Sequence, residues 1–447
     1  MFDVNKVKDH LLKICNETKE LDPKSFKNFR RMWFRRGISV FLDDTDIKEF
    51  NKAMDKIRED EFIRYNFTEK FIESKLEEII SEAFKLPQNK REQFIKNKLQ
   101  QLKSYLKKEI NEWVFIVPIE NLSVKRKFSV GDVVFYKISR YRKRKLKNLM
   151  EKIIKDNKNY TKKQKKEFLK TQEKYIINPL EGITCAEVKV RGVIDSAQQT
   201  ALHKIRLALS ILKLYSYYND DSYKRYFGIV GEVIRHTDRV IIRYPEDQKN
   251  INPLFEKVGY LFEYELDKNR IKFMKKNGFD KLNKILKKQN PTEFESRLLT
   301  SIYWFGKAMN IQVTHDKQAI YEKKKKKHEN LEYFSIGERF LKLFISLECL
   351  LIFDENEPIT NNISERCALL LVKKYEDRKK IKNKIKDLYK LRSKIVHHGE
   401  VFISKNNLVY LTNVVQAVII TLIKLKDKFN FRTKEDLREY FERVKLS

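Results

Sequence analysis

The sequence predicts an α+β chain that is mainly helical. It divides into an N-terminal helical region (1–110), a mixed α/β middle domain (111–285) and a C-terminal helical bundle (286–447). Three observations carry this. Apolar residues recur at helical spacing through most of both ends. Glycine (11) and proline (8) are scarce for 447 residues, which disfavours sandwiches, propellers and glycine-rich phosphate loops. Short runs rich in β-branched and aromatic residues are confined to the middle.

The length suits two or three domains. With 41% hydrophobic and 12% aromatic residues the chain can fill sizeable cores, so its 35% charged residues do not signal disorder. The 96 basic residues exceed the 62 acidic ones, giving a net charge of +34. Such a field attracts polyanions, nucleic acid above all; a lysine-rich proteome with a merely solvated surface is the plainer explanation.

Cys15, Cys185, Cys349 and Cys367 are far apart and form no C-x-x-C pair, so they read as reduced thiols. The N-terminal MFDVNKVKDH lacks the apolar core of a signal peptide. The longest apolar run, Leu408 to Ile423, is interrupted by Thr412, Asn413 and Gln416 and reads as too short and too polar to span a bilayer. A soluble cytoplasmic protein without membrane contact is expected.

The elements follow in order. Val4, Val7, Leu11, Leu12 and Ile14 mark one amphipathic helix, and Phe71, Leu76, Ile79, Ile80 and Phe84 another. Between them, Phe26 to Gly37 (FKNFRRMWFRRG) reads first as an amphipathic helix with core aromatics and solvated arginines. Its interleaved arginines and aromatics also suit base stacking and phosphate neutralisation. From Trp113, WVFIVPIENLSV and VGDVVFYKI read as strands. Arg142 to Lys174, dominated by Lys and Arg, is either an exposed helical hairpin or a flexible basic insertion, and either a polyanion contact or a solvated excursion.

Ile183 to Val193 reads as a strand and Ala197 to Tyr217 as a largely buried helix. Ile229 to Ile234 and Val240 to Tyr244 flank Arg235-His236-Thr237-Asp238 as a hairpin would, with His236 an exposed turn residue. Phe294 to Asn310 opens the bundle. The pentad Lys323 to Lys327 reads as a solvated loop, with nucleic-acid contact the lesser alternative. Ile336 to Leu351 carries an apolar stripe ended by Pro358. Ile363 to Leu371 and Tyr375 to Val396 supply two further helices. Leu408 to Leu425 is apolar on more than one face, as a core helix is. Thr433 and Asp436 have capping-box spacing before a last short helix.

No H-E-x-x-H, zinc-spaced Cys/His cluster, Walker A or G-x-S-x-G motif is present, so metal-hydrolase, ATPase and serine-hydrolase readings have no support, and no cofactor or metal is expected. The chemistry-bearing stretch is Leu388 to Glu400, LYKLRSKIVHHGE. Here Arg392 is followed five positions later by His397, with His398 adjacent. A histidine is suited to deprotonate a ribose 2′-OH or protonate a leaving 5′-oxygen. An arginine holds a phosphate as charge builds. Ser393 can donate to phosphate or orient a neighbour. Positions five apart on an ideal helix point about 140° apart. A shared cleft within one chain therefore requires the helix to loosen near His397, where Gly399 offers a cap. The plainer reading is a basic helix end that complements the helix dipole.

FLKLFISLECLLIF, ITNNISERCALLL and KDLYKLRSKIVHHGE together resemble the HEPN superfamily, in particular the ApeA-like HEPN proteins of bacterial anti-phage defence, over about residues 290–430. VPIENLSV and ESRLLTSIYWFGKA resemble the same proteins more loosely. The resemblance implies that Arg392, Ser393 and His397 form an R-x4-6-H ribonuclease site, with His398 substituting for or assisting His397. Many members carry Asn where this chain has Ser393. It further implies metal-independent cleavage of RNA, tRNA among the candidates, to 2′,3′-cyclic phosphate and 5′-hydroxyl ends. A homodimer would place two copies of the motif at one cleft, and a phage-derived trigger would release a toxic activity. A non-catalytic RNA-binding or dimerisation module with a sensor domain is the alternative. Glu348 has apolar neighbours Phe344, Ile345, Leu351 and Ile352 at helical spacing, so its carboxylate needs a partner. Arg392 is the candidate, because the resemblance brings the two helices together; a Glu at the stripe's edge reaching water or a lysine is the alternative.

Overall fold

The computed structural model describes residues 2–17, 31–35, 38–42, 44–60, 62–63, 67, 69–108, 110–156, 161–216, 227–232, 239–243, 254–258, 264–310, 329–398 and 403–446. The fold is α+β and mainly α, as expected. The chain divides into two compact units, Met1–Phe115 with Lys189–His203, and Ile116–Val188 with Lys204–Ser447. The mixed segment and the C-terminal helices thus both fall largely in the second unit.

The first unit opens with α1 (Val4–Glu17). Asp3 caps it, its carboxylate accepting from the Asn5 and Lys6 backbone N–H groups. The next elements are β1 (Arg31–Arg35) and β2 (Ile38–Leu42), paired antiparallel with Trp33 opposite Val40. The helix expected over Phe26 to Gly37 is therefore corrected to a strand over its described part. The short arginine-aromatic run fits either period, and pairing with the β-branched ISVFL decides it. Next come α2 (Asp44–Arg58), α3 (Glu69–Ala83) and α4 (Gln88–Lys108). Val7, Leu11 and Ile14 join Phe50, Ile57, Leu76, Ile80 and Leu99 in a continuous core.

The middle elements are β3 (Asn111–Glu120), β4 (Leu122–Val124), β5 (Phe128–Val130) and β6 (Val133–Lys137). The basic stretch follows as a helical hairpin of α5 (Arg140–Asp156) and α6 (Lys162–Gln172), running on through a π turn at Glu173–Ile177 and a 3-10 turn at Asn178–Leu180. Then come β7 (Thr184–Gly192), α7 (Ile194–Leu214) and β8 (Gly228–Ile229). Five strands form one sheet in the order β5-β6-β7-β3-β8.

The hairpin expected across Arg235 to Asp238 is replaced by another pairing. Here β9 (Arg239–Arg243) pairs antiparallel with β10 (Leu254–Val258), while β8 pairs with β3. Hydrogen bonding along the full ladder outweighs the local turn composition. His236 and the Lys323 to Lys327 pentad lie outside the described residues. A short parallel pair joins β4 to β11 (Tyr264–Leu266).

Two short helices, α8 (Lys268–Lys276) and α9 (Phe279–Leu286), lead into the bundle. Gly278 between them is left-handed (φ +92°), and a Cβ there would lie 2.6 Å from Ile423 Cγ2. The bundle is α10 (Glu293–Met309), α11 (Glu329–Leu351), α12 (Ile359–Leu371), α13 (Tyr375–His398), α14 (Lys405–Phe429) and α15 (Lys434–Leu446). The α11 helix ends at Leu351, not at Pro358, which instead precedes the first turn of α12. Arg366 holds that junction by donating to the Leu351 carbonyl and to Glu357 while stacking on Phe353. The capping box at the start of α15 is present, Thr433 and Asp436 each accepting from the other's backbone N–H.

Within α14, Asn406–Phe429 is by length and composition apolar enough to cross a membrane, contrary to the expectation from Leu408 to Ile423. The helix runs past that stretch at both ends. Its polar residues are satisfied inside the fold: Thr412 donates to the Leu408 carbonyl, and Gln416 to the carbonyls of Leu214 and Ser216. Leu411, Val415, Val418, Ile419 and Leu422 are buried, and the helix packs against α10, α11, α12 and α13.

Candidate active site

The candidate site lies where the second half of α11 meets the last turns of α13. Both helices present apolar faces there. Phe344 and Leu347 of α11 are buried, as are Leu388 and Tyr389 of α13. A backbone approach near Gly337 leaves Ile395 room, since a Cβ on that glycine would lie 3.7 Å from Ile395 Cγ2. Into this apolar seam project three polar side chains. Glu348 Oε1 lies 3.3 Å from Arg392 Nη2 and accepts a 3.0 Å hydrogen bond from the Tyr389 hydroxyl. The Glu348–Arg392 pair expected from the sequence is thus present, with both side chains about three-quarters buried.

Tyr389 is the residue that sequence reasoning passed over. It sits three positions before Arg392, so the two share a helix face. Its ring is wedged edge-on against Phe344, centroids 5.1 Å apart, with the Arg392 guanidinium 5.3 Å from its centroid on the other side. Burial, reinforced by the Glu348 carboxylate, pushes the Tyr389 phenol up to about 12, so it stays a hydrogen-bond donor at any physiological pH. The spacing to Arg392 was the available signal. It has meaning only once Glu348 is known to face both residues.

Arg392 is held but not used up. A guanidinium has five N–H donors in a fixed fork. Its Nε is buried without a hydrogen-bond partner among the described residues, so it is oriented by Glu348 and retains donors for an anion. Ser393 is half-buried beside it. The helix continues unbroken through His398, so the loosening expected near His397 does not occur. Arg392 and His397 therefore diverge by about 140° around one helix. Arg392 faces the seam, whereas His397 is exposed next to Val396, which is 52% exposed. The structure brings together Arg392, Glu348 and Tyr389; it does not bring His397 to them within a single chain. For His398 only its place as the last residue of the helix is described.

Among the described residues, no three His, Cys, Asp or Glu side chains are grouped as metal ligands. The cysteines are free; Cys15, Cys185 and Cys367 are buried and Cys349 is half-buried. Burial pushes the Cys15 and Cys185 thiols up to about 12, which leaves them unreactive at neutral pH. No known protein family, curated protein or solved structure matches the chain.

Proposed function

We propose that the chain is a metal-independent endoribonuclease of HEPN type, acting as a toxin effector in bacterial anti-phage defence. The observation that carries this is a half-buried arginine, oriented by a carboxylate and a tyrosine and with donors to spare, on the helix that also exposes His397. In the reaction the ribose 2′-oxygen attacks the adjacent phosphorus and the 5′-oxygen leaves. His397 takes the 2′-OH proton or supplies one to the leaving oxygen. Arg392 binds the non-bridging oxygens as their charge grows. Ser393 donates to the same phosphate, and His398 assists His397.

Because Arg392 and His397 diverge on an unbroken helix, one chain does not offer both to one phosphate. A second copy related by a two-fold axis supplies the missing group, which makes the active species a homodimer. The substrate is RNA, tRNA among the candidates, and the cell compartment is the cytoplasm; a phage-derived component is the trigger. One observation favours the contrasting reading of a non-catalytic RNA-binding or dimerisation module: Glu348 already engages Arg392.

The test is to incubate the full chain with total RNA in excess EDTA and map the cut ends. Cleavage leaving 2′,3′-cyclic phosphate and 5′-hydroxyl ends is expected. Activity that vanishes in EDTA and returns with Mg²⁺ or Mn²⁺ contradicts the proposed chemistry, and binding without cleavage favours the non-catalytic module.

A further inference from the structure

A second cluster of charged side chains lies within the second unit and shares no residue with the Arg392 seam. Lys213, near the end of α7, is 1% exposed. Its ammonium donates to the Asn310 side-chain oxygen at the end of α10 and lies 5.2 Å from the centroid of the Phe227 ring. No carboxylate is paired with it among the described residues. Burying an ammonium against a neutral amide and a ring is costly, since an ionised group loses its hydration without gaining a countercharge. A methionine of similar length would fill the space without that cost. The lysine therefore has no evident stabilising purpose where it sits.

Lys213 opens onto a recess of about 280 Å³, mouth included, which Arg206, Glu232, Tyr303, Lys307 and Asn310 also line. Two helices make it. α7 and α10 cross so closely that a side chain on Gly306 would collide with Ser210, its Cα included. That close crossing sets Lys213 and Arg206 of one helix opposite Tyr303, Lys307 and Asn310 of the other. Arg206 is bound by Glu232 through two nitrogens, at 2.6 and 3.0 Å from Oε1. Lys307 lies 5.4 Å from the Tyr303 ring centroid and is half-buried. With Arg206 and Glu232 cancelling, the two lysines leave two uncompensated positive charges. That balance matches one phosphate dianion or phosphomonoester, and the amide of Asn310 and the hydroxyl of Tyr303 offer neutral donors beside it.

We infer that the recess between α7 and α10 is a binding site for the phosphoryl group of a small molecule, with Lys213 at its floor and Lys307 at its rim. The site is separate from the proposed ribonuclease chemistry and does not depend on it. The surroundings of Lys213 also predict how binding responds to pH. Burial, aggravated by Lys307 and only partly offset by Glu232, lowers the Lys213 ammonium to about 7. The other titratable groups lining the recess are Arg206 on α7, Glu232 after β8, and Tyr303 and Lys307 on α10. An incoming anion favours the charged lysine, so binding takes up a proton and weakens as pH rises through neutrality.

The test uses two probes on the full chain at constant ionic strength. Inorganic sulfate remains a dianion from pH 6 to 8 and isolates the protein's own titration. Inorganic phosphate is the chemical group itself. Calorimetric titration should show one site for each, with sulfate binding about tenfold weaker at pH 8 than at pH 6. Lys213→Met should remove that site while leaving the chain folded, and Arg392→Ala should leave it intact. Lys307→Ala, a rim change that spares the buried packing, should weaken binding at least severalfold even if Lys213→Met disturbs the fold. The inference is overturned if neither anion binds, or if both lysine variants bind as the unaltered chain does. It is overturned equally if binding is lost in Arg392→Ala.

Discussion

Arg392 must hold a phosphate in the proposed chemistry, and its neighbours define how. Glu348 fixes one edge of the guanidinium, and Tyr389 fixes Glu348. Tyr389→Phe removes one hydrogen bond from a half-buried carboxylate and should cost about 1 kcal/mol in stability, read by urea unfolding. Its effect on cleavage should fall on the rate more than on RNA binding, because the arginine stays but its aim loosens. Glu348→Gln leaves Arg392 without its countercharge and should cost more, about 1–3 kcal/mol, with activity between that of the unaltered chain and Arg392→Ala. Glu348 was legible in the sequence, since a lone carboxylate among Phe344, Ile345, Leu351 and Ile352 must find a partner. Tyr389 was not, because an aromatic at helical spacing reads as core and is core, being 5% exposed, yet its hydroxyl still reaches the site.

Another residue-scale prediction concerns Glu295, which is fully buried at the start of α10. Burial alone would raise its carboxyl. Lys288, the Thr292 backbone N–H and Lys426 outweigh that and hold it down to about 2 from an ordinary 4.5. A carboxyl depressed on folding stabilises fully above its unfolded value and loses that contribution as pH falls through the folded one. The stability difference between the unaltered chain and Glu295→Gln should therefore be constant from pH 7 to about 5 and shrink between 4.5 and 2. Urea unfolding at a series of pH values measures it; a difference that persists unchanged to pH 2.5 would contradict the ion-pair account.

At the scale of elements, the helices were the most legible part. Their apolar stripes span three or more turns, and the packed bundle enforces the same period. The strands show where sequence signals compete. Arg31–Arg35 carries aromatics and arginines in an order that fits a helix or a strand, and its partner Ile38–Leu42 settles it. The turn-like Arg235 to Asp238 gave way to a ladder between β9 and β10, a pairing set by residues well apart in sequence. The basic stretch resolves into the α5–α6 hairpin, whose near-side cations are already spoken for: Arg140 and Lys143 by Glu181, and Lys147 by Glu173. Arg144, Lys145, Lys163 and Lys166 are exposed. If RNA lies along the hairpin, replacing these four by Gln should weaken RNA binding and flatten its dependence on log salt, by about 0.7 to 0.9 for each phosphate no longer neutralised. An unchanged salt slope would make the hairpin a solvated excursion.

At the scale of the whole molecule, the net charge of +34 and the diverging Arg392 and His397 point the same way. A strongly cationic protein recruits a polyanion, and a motif split around one helix is completed by a second copy. The sequence could not reveal that split, because it depends on whether α13 loosens before Gly399. The helix holds its hydrogen bonding through His398 instead. The most direct test of the central claim is RNA cleavage in EDTA by the unaltered chain, Arg392→Ala and His397→Ala, each first shown to be folded by circular dichroism. The unaltered chain should cut, and each variant should lose roughly a hundredfold to ten-thousandfold in rate, with His398→Ala losing less. A chain carrying both His397→Ala and His398→Ala that still cuts RNA at the unaltered rate would contradict the claim.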